Sequence, residues 1–133
     1  MGAFKQAAYK QQSIQTASPG ELTLMLYNGC LTQLKQAKRA LEAKDIEARH
    51  LHIGKAETII RELMVTLKQD AHIAGEMLRM YEYILHQLIE ANVKQDEQAL
   101  DEAILYVTEF RDTWKQVIQR DRQNRYSAGG GHE

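Results

Sequence analysis

Acidic and histidine side chains at helical spacing first suggest a metal site. Glu47 and His50 form a Glu-x-x-His pattern, which carboxylate di-metal bundles carry on two of their helices. No second copy follows, because Glu82 and His86 are four residues apart. The inner faces predicted for the first and fourth helices also lack a carboxylate. We therefore expect no metal site and no cofactor.

A second histidine motif, residues 51–55, contains the parts of a phosphotransfer site. His52 is a potential phosphoryl acceptor, Gly54 would leave room for a docking receiver domain, and Lys55 would bind phosphate. Their order departs from the usual arrangement, in which the basic residue precedes the glycine. A surface histidine beside an unrelated glycine is the simpler interpretation. A histidine phosphotransfer module remains an alternative function.

The other reactive and charged residues point away from catalysis. Cys30 is the only cysteine, which excludes a disulfide within the chain and suits a reducing cytoplasm. We interpret it as a small apolar packing residue, because no neighbouring base would activate its thiol. No serine or cysteine has a base at a recognisable catalytic spacing. We therefore predict that the protein is not an enzyme.

The charge and hydropathy patterns also exclude two classes of partner. The formal net charge is −1, so no overall field attracts nucleic acid. The basic cluster Arg120, Arg122 and Arg125 is interleaved with Asp121 and is interpreted as a solvated helix end. No apolar run approaches the roughly 18 residues of a membrane span. We expect neither nucleic-acid binding nor membrane insertion.

The elements that would position any site are four amphipathic helices. Apolar residues recur at helical spacing in residues 19–43, 46–69, 75–93 and 97–122. The connections are short, with Asp45 and Asp96 as predicted N-caps, so successive helices must alternate in direction. The predicted fold is all-α, an antiparallel up-down four-helix bundle over residues 18–122. An N-terminal arm, residues 1–17, precedes the bundle, and a disordered tail, residues 123–133, follows it.

On each helix one row of apolar residues is predicted to face inward, and we call each row a seam. They are Leu24, Tyr27, Leu31, Leu34 and Leu41; Ile46, Ile53, Ala56, Ile60, Leu63 and Leu67; Met77, Tyr81, Ile84, Leu88 and Ala91; and Leu100, Ala103, Val107, Phe110, Trp114 and Val117. Gly29 interrupts the first helix, and a close approach of another helix would explain it.

The first helix begins with more apolar surface than one seam needs. Ser18 and Glu21 form a predicted capping box, and Pro19 occupies the first helical position. The apolar residues that follow point in several directions at about 100° per residue. They are Leu22, Leu24, Met25, Leu26 and Tyr27. One side can face the core, and the other needs a second cover.

The arm is one candidate for that cover. Phe4, Tyr9 and Ile14 are large apolar residues spaced five apart among polar ones. This spacing fits neither a helix face nor a strand face, so the arm is interpreted as docking through a few anchors. A frayed terminus with unrelated aromatic residues is the alternative. For the excess apolar surface as a whole, a helix-binding surface, a homodimer interface and ordinary core all remain open.

Four segments together resemble the FliS family of flagellar secretion chaperones. They are Tyr9 with residues 16–29, residues 55–63, residues 80–92 and residues 107–116. The resemblance covers about residues 9–122 in the right order and spacing. It implies a cytoplasmic, non-enzymatic chaperone with an antiparallel helical bundle.

The same resemblance implies the partners. Members bind the disordered C-terminal segment of flagellin, prevent its premature polymerisation and present it to the flagellar type III export apparatus. Tyr9 matches a tyrosine assigned to the export-gate protein. Gln6 stands where members have an aliphatic residue, so Phe4 or Ile14 is the candidate substitute. The arm is expected to lie over part of the bundle and to move when flagellin binds.

We therefore predict a set of partner-binding residues from the arm and from positions outside the seams. They are Tyr9, Ile14, Leu22, Met25, Leu26, Tyr83, Leu85 and Ile104. A self-associating helical adaptor, with a homodimer formed through the same residues, is the main competing hypothesis.

Overall fold

Four α-helices make up the part of the chain that the computed structural model describes, residues 19–67 and 74–131. They are α1 (Pro19–Glu42), α2 (Ile46–Thr66), α3 (Ala74–Lys94) and α4 (Glu97–Gly131). Each helix packs against its neighbours in chain order, and α4 closes the ring by packing against α1. The described ranges contain no strand. The all-α helical bundle predicted from the sequence is confirmed.

Two tight turns set the direction of the helices. After α1, Lys44 adopts a left-handed conformation (φ 58°), and the amide of Asp45 donates to the carbonyl of Ala40 at 2.8 Å. This arrangement is a Schellman ending, which satisfies carbonyls at the end of a helix. Asp45 then caps α2, because its carboxylate accepts from the amide of Ala48 at 3.1 Å. Asp96 caps α4 through the amide of Ala99 in the same way, so both predicted aspartate caps are confirmed.

The core follows the predicted seams closely. Buried seam residues are Tyr27, Leu31, Leu34, Ile53, Ala56, Ile60, Leu63, Tyr81, Ile84, Leu88, Ala91, Leu100, Ala103 and Val107. Cys30 is fully buried among them, as its interpretation as a packing residue requires. Ile46 and Val117 were predicted to face inward and are exposed instead. Ile46 is the first residue of α2, and Val117 lies one turn beyond Trp114, so each sits where the core ends.

A hydrogen bond between two tyrosines crosses the centre of this core. The hydroxyls of Tyr27 on α1 and Tyr81 on α3 are 2.5 Å apart, and both side chains are buried. Phe110 of α4 stacks on Tyr27 with ring centroids 6.2 Å apart and meets the edge of Tyr81 at 5.9 Å. Burial, reinforced by the hydrogen bond that Tyr27 shares with Tyr81, raises the pKa of Tyr27 far above its usual range. The pair therefore stays neutral, and three helices meet in one aromatic layer.

The start of α1 is held by α4. The indole Nε1 of Trp114 donates to the carbonyl oxygen of Gly20 at 2.8 Å. One turn further along α4, Ile118 faces Gly20, and Arg122 pairs with Glu21. Ser18, the predicted N-cap, lies outside the described residues. The start of α1 therefore makes three successive contacts with α4.

The ends of two helices differ from the prediction. The sequence analysis ended the fourth helix at Arg122 and assigned residues 123–133 to a disordered tail, whereas α4 continues to Gly131. Residues 119–124, around the predicted end, are exposed. The extension contains no proline, and arginine and glutamine favour a helix, so the backbone hydrogen bonds continue. The second helix was predicted to reach Gln69, and α2 ends at Thr66.

The tyrosine pair gives a stability prediction. Tyr27→Phe or Tyr81→Phe leaves one buried hydroxyl without its partner, so each change should lower the free energy of unfolding by about 1–3 kcal/mol. The double variant leaves no unpaired hydroxyl, so its loss should be smaller than the sum of the two. Urea unfolding of all four proteins measures the difference. Strictly additive losses would show that the two hydroxyls do not depend on each other.

Gly29 gives a second prediction. A methyl group at Gly29 would lie 3.7 Å from Cδ1 of Ile59, an ordinary contact with a side-chain tip, so no close helix approach requires this glycine. Gly29→Ala should therefore raise the free energy of unfolding by about 1 kcal/mol through helix propensity. Gly54→Ala is the matched control, because nothing lies within 4 Å of the added methyl group there. If only the Gly54 variant is stabilised in thermal unfolding, the space beside Ile59 is too tight.

Candidate binding surface

The histidine motifs act as contacts between helices. His52 is half-buried, and its Nδ1 lies 2.8 Å from Oε1 of Gln33 on α1, which occupies the ring nitrogen. His50 accepts from the side-chain amide of Asn92 on α3 at 2.9 Å. Among the described residues, no group of three or more His, Cys, Asp or Glu side chains is arranged to hold a metal ion. Glu47 and His50 therefore stand without further acidic or histidine ligands in this region.

Two further features show little capacity for chemistry. Cys30 is fully buried, and burial raises the pKa of its thiol to about 12, so the reactive thiolate is scarce at neutral pH. An open cleft of about 280 Å³ lies at the turn between α1 and α2. Its lining includes Arg39, Asp45 and His52 and three alanines. Neither feature provides a nucleophile beside a base.

The predicted residues on α1 lie along the edge that faces α2. Leu22, Met25 and Leu26 are all half-buried, and Leu26 also packs against the core. Leu26 is three residues before Gly29, which lies next to Ile59 of α2, so helical spacing turns Leu26 to the α2 side. These three residues of α1 therefore keep part of their surface exposed.

The other predicted residues face three different directions. Tyr83 reaches Glu102 of α4 through a hydrogen bond of 2.6 Å. Leu85 lies about 160° further round α3, on the side where Asn92 contacts α2. Ile104 follows Asp101, which pairs with Lys38 of α1, by one turn. The structure therefore does not bring these three residues or the α1 residues into one surface.

Tyr9 and Ile14 lie outside the described residues, so their predicted contacts stay predictions.

A row of apolar residues lies along one face of α3, and only part of it is among the predicted partner-binding residues. We call it the α3 stripe: Leu78, Leu85, Ile89 and Val93, spaced seven, four and four residues apart. Leu78, Ile89 and Val93 are 37%, 44% and 74% exposed, and Leu85 is partly buried between them. Their spacing places them on one face of a helix. Ile89 and Val93 follow Leu85 at intervals of four residues. This spacing could have added both to the predicted partner-binding residues.

On the opposite flank of α3, aromatic and polar side chains form a cluster with α4. The rings of Tyr83 and Tyr106 meet edge to face, with centroids 5.8 Å apart. The carboxylate of Glu102 accepts from the Tyr83 hydroxyl and, at 2.9 Å, from the amide nitrogen of Gln87. We call these four residues the Tyr83 cluster. It joins α3 to α4 and leaves the Tyr83 ring 41% exposed.

In the ranges that the structure describes, no helix combines the length and apolar character that a bilayer span needs. The apolar surface described above consists of the α3 stripe and the half-buried residues Leu22, Met25 and Leu26 of α1. Such surfaces suit a second helix laid alongside.

Comparison with known proteins identifies relatives along almost the whole chain. A family model described as flagellar protein FliS matches residues 2–121. The chain is 47% identical over 123 residues to the flagellar secretion chaperone FliS of Bacillus subtilis (strain 168), covering 92% of each chain. It is 37% identical over 120 residues to the flagellar secretion chaperone FliSB of Pseudomonas aeruginosa, covering 86% of this chain and 94% of the relative.

A solved structure matches the fold as well. A crystal structure of a flagellar chaperone from bacteria superposes with a TM-score of 0.72 at 17% identity. The match covers 87% of this chain and 98% of the other. At that identity the likeness concerns the arrangement of helices, in agreement with the bundle described above.

Proposed function

The chain belongs to the FliS family of flagellar secretion chaperones, a family of chaperones and not of enzymes, and from this premise we propose that it binds the C-terminal segment of flagellin. Bound in this way, flagellin is kept from premature polymerisation and is delivered to the flagellar type III export apparatus. This activity belongs in the cytoplasm, where flagellin is made, and it needs neither a metal nor a nucleotide.

The observation that carries this proposal is the α3 stripe. Three of its four residues are substantially exposed, and they lie on one face of a well-ordered helix. An amphipathic helix laid along such a face removes apolar area from water, worth about 25 cal/mol per Å² before ordering costs. A disordered segment loses part of this free energy as conformational entropy when it folds on binding. The lower affinity keeps the binding reversible. Reversible binding suits a chaperone that must release its cargo.

The edge formed by Leu22, Met25 and Leu26 is a second contact for the same segment. These residues are half-buried, so their remaining surface is smaller than that of the α3 stripe. The two surfaces lie on different sides of the bundle, because α1 and α3 are not consecutive in the ring of helices. An extended client that folds on binding can reach both, as disordered partners commonly wrap large surfaces. Ile104 lies on the α1 side of α4 and is a separate contact for the client.

The arm completes the proposal. Residues 1–17 compete with the client for the α1 edge, and Tyr9 contacts the export-gate protein. The first turn of α1, which follows the arm in the chain, is bonded to Trp114 of α4.

The α3 stripe gives the test of this function. Ile89→Glu should weaken binding of a flagellin C-terminal peptide at least tenfold, because a charge replaces an exposed apolar contact at the centre of the stripe. Leu51→Glu is the matched control: Leu51 is 52% exposed, compared with 44% for Ile89, and it lies on the outer side of α2. Both variants should unfold at nearly the same temperature as the original protein. Titration calorimetry with the peptide measures the difference.

Three results would count against the proposal. Absence of peptide binding by the unmodified chain would refute the flagellin assignment itself. Equal weakening by both variants would remove the α3 stripe as the docking site. A dimer in sedimentation that Ile89→Glu converts to monomers, without any effect on peptide binding, would favour the competing hypothesis of a self-associating adaptor.

A further inference from the structure

The Tyr83 cluster contains a carboxylate that forms no ion pair with the lysines and arginines whose side chains the structure describes. Glu102 accepts one hydrogen bond at each oxygen, 2.6 Å from the Tyr83 hydroxyl and 2.9 Å from the Gln87 amide. Both donors are neutral. The hydrogen bond to Glu102 raises the pKa of Tyr83, so the phenol keeps its proton and remains a neutral donor. Each carboxylate oxygen also has a second lone pair free to accept another bond.

Some other acidic residues on the same helices have a lysine as partner. Asp101, the neighbour of Glu102, pairs with Lys38 at 2.6 Å, and Glu90 of α3 pairs with Lys94 at 2.9 Å. Within residues 20–67 and 74–124, no lysine or arginine forms an ion pair with Glu102. Glu102 is nevertheless half-buried, where a carboxylate gains more from a cation than it would in open water.

The aromatic rings beside Glu102 add a second attraction for a cation. Tyr83 and Tyr106 meet edge to face with centroids 5.8 Å apart, and the Tyr83 side chain is 41% exposed. The face of an aromatic ring attracts an ammonium or guanidinium group, and a guanidinium can stack on a ring while it donates to a carboxylate. The hydrogen bonds from Tyr83 and Gln87 already hold the carboxylate in place. Little further ordering is therefore needed when a cation binds.

We propose that the Tyr83 cluster is a docking site for an arginine or lysine side chain of the bound client segment. The inference rests on the proposed flagellin binding and specifies one chemical requirement of it. Tyr83 and Leu85 lie on opposite flanks of α3, so the cation binds on the α4 side of α3 and not within the α3 stripe. The client that fits carries a basic residue outside the apolar face that meets the stripe. A purely apolar segment would leave the cluster unused.

A coupled pair of substitutions tests this assignment. The probes are a flagellin C-terminal peptide and the same peptide with its lysines and arginines replaced by glutamine. Glu102→Gln should weaken the basic peptide about fivefold, near the upper end for a partly exposed ion pair, and leave the neutral peptide unchanged. Tyr106→Leu should likewise weaken the basic peptide more than the neutral one. Glu62→Gln is the control, because Glu62 is exposed on α2 and forms no ion pair among the described residues.

The outcomes separate this inference from the function on which it rests. If Glu102→Gln weakens both peptides equally, Glu102 serves only to join α3 to α4, and the inference is overturned. No effect of Glu102→Gln on either peptide overturns it as well. If the unmodified protein binds neither peptide, the proposed function fails and the inference fails with it. The expected coupling should also shrink as salt is raised from 50 to 500 mM, whereas an apolar contact would not weaken.

Discussion

The hydrogen bond between Tyr27 and Tyr81 is the constraint on which the bundle depends. A buried hydroxyl without a partner is costly, and each of these two phenols has the other as its partner. The bond forms only when α1 and α3 are correctly placed along their axes, because a shift by one turn would separate the hydroxyls by about 5 Å. Phe110 packs against both rings, so α4 is set by the same layer. Apolar seams tolerate sliding more easily, since their contacts have no direction.

Both candidate binding surfaces inherit their positions from this layer. Tyr83 is two residues beyond Tyr81, so the register that aligns the buried phenols also brings Tyr83 to Glu102 on α4. Leu85 and the rest of the α3 stripe lie on the other flank of the same rigid helix. A binding surface on an element whose position is fixed by the core needs little adjustment when a partner arrives. Buried polar pairing thus determines the geometry of an exposed apolar stripe.

The sequence was sufficient for the fold because each seam repeats at helical spacing and both aspartate caps are local signals. It was less informative about the binding surface. Helical spacing gives the angle between Tyr83, Leu85 or Ile104 and the inward-facing seam of its helix. It does not show which neighbouring helix the residue faces. The exposure of Ile89 and Val93 depends on how α2 and α4 sit around α3, which is a property of tertiary packing. The fourth helix was predicted to end at Arg122 because the residues after it bury little apolar surface, whereas α4 continues to Gly131.

The fluorescence of Trp114 reports on the start of α1. Trp114 is the only tryptophan in the chain, it is half-buried, and its indole nitrogen is bonded to the first turn of α1. Indole fluorescence depends on solvent exposure and on the bond made by the ring nitrogen. The natural protein therefore carries an optical reporter at the point where the arm joins the bundle. Movement of the first turn of α1 will shift the wavelength of the emission maximum, so no attached dye is needed.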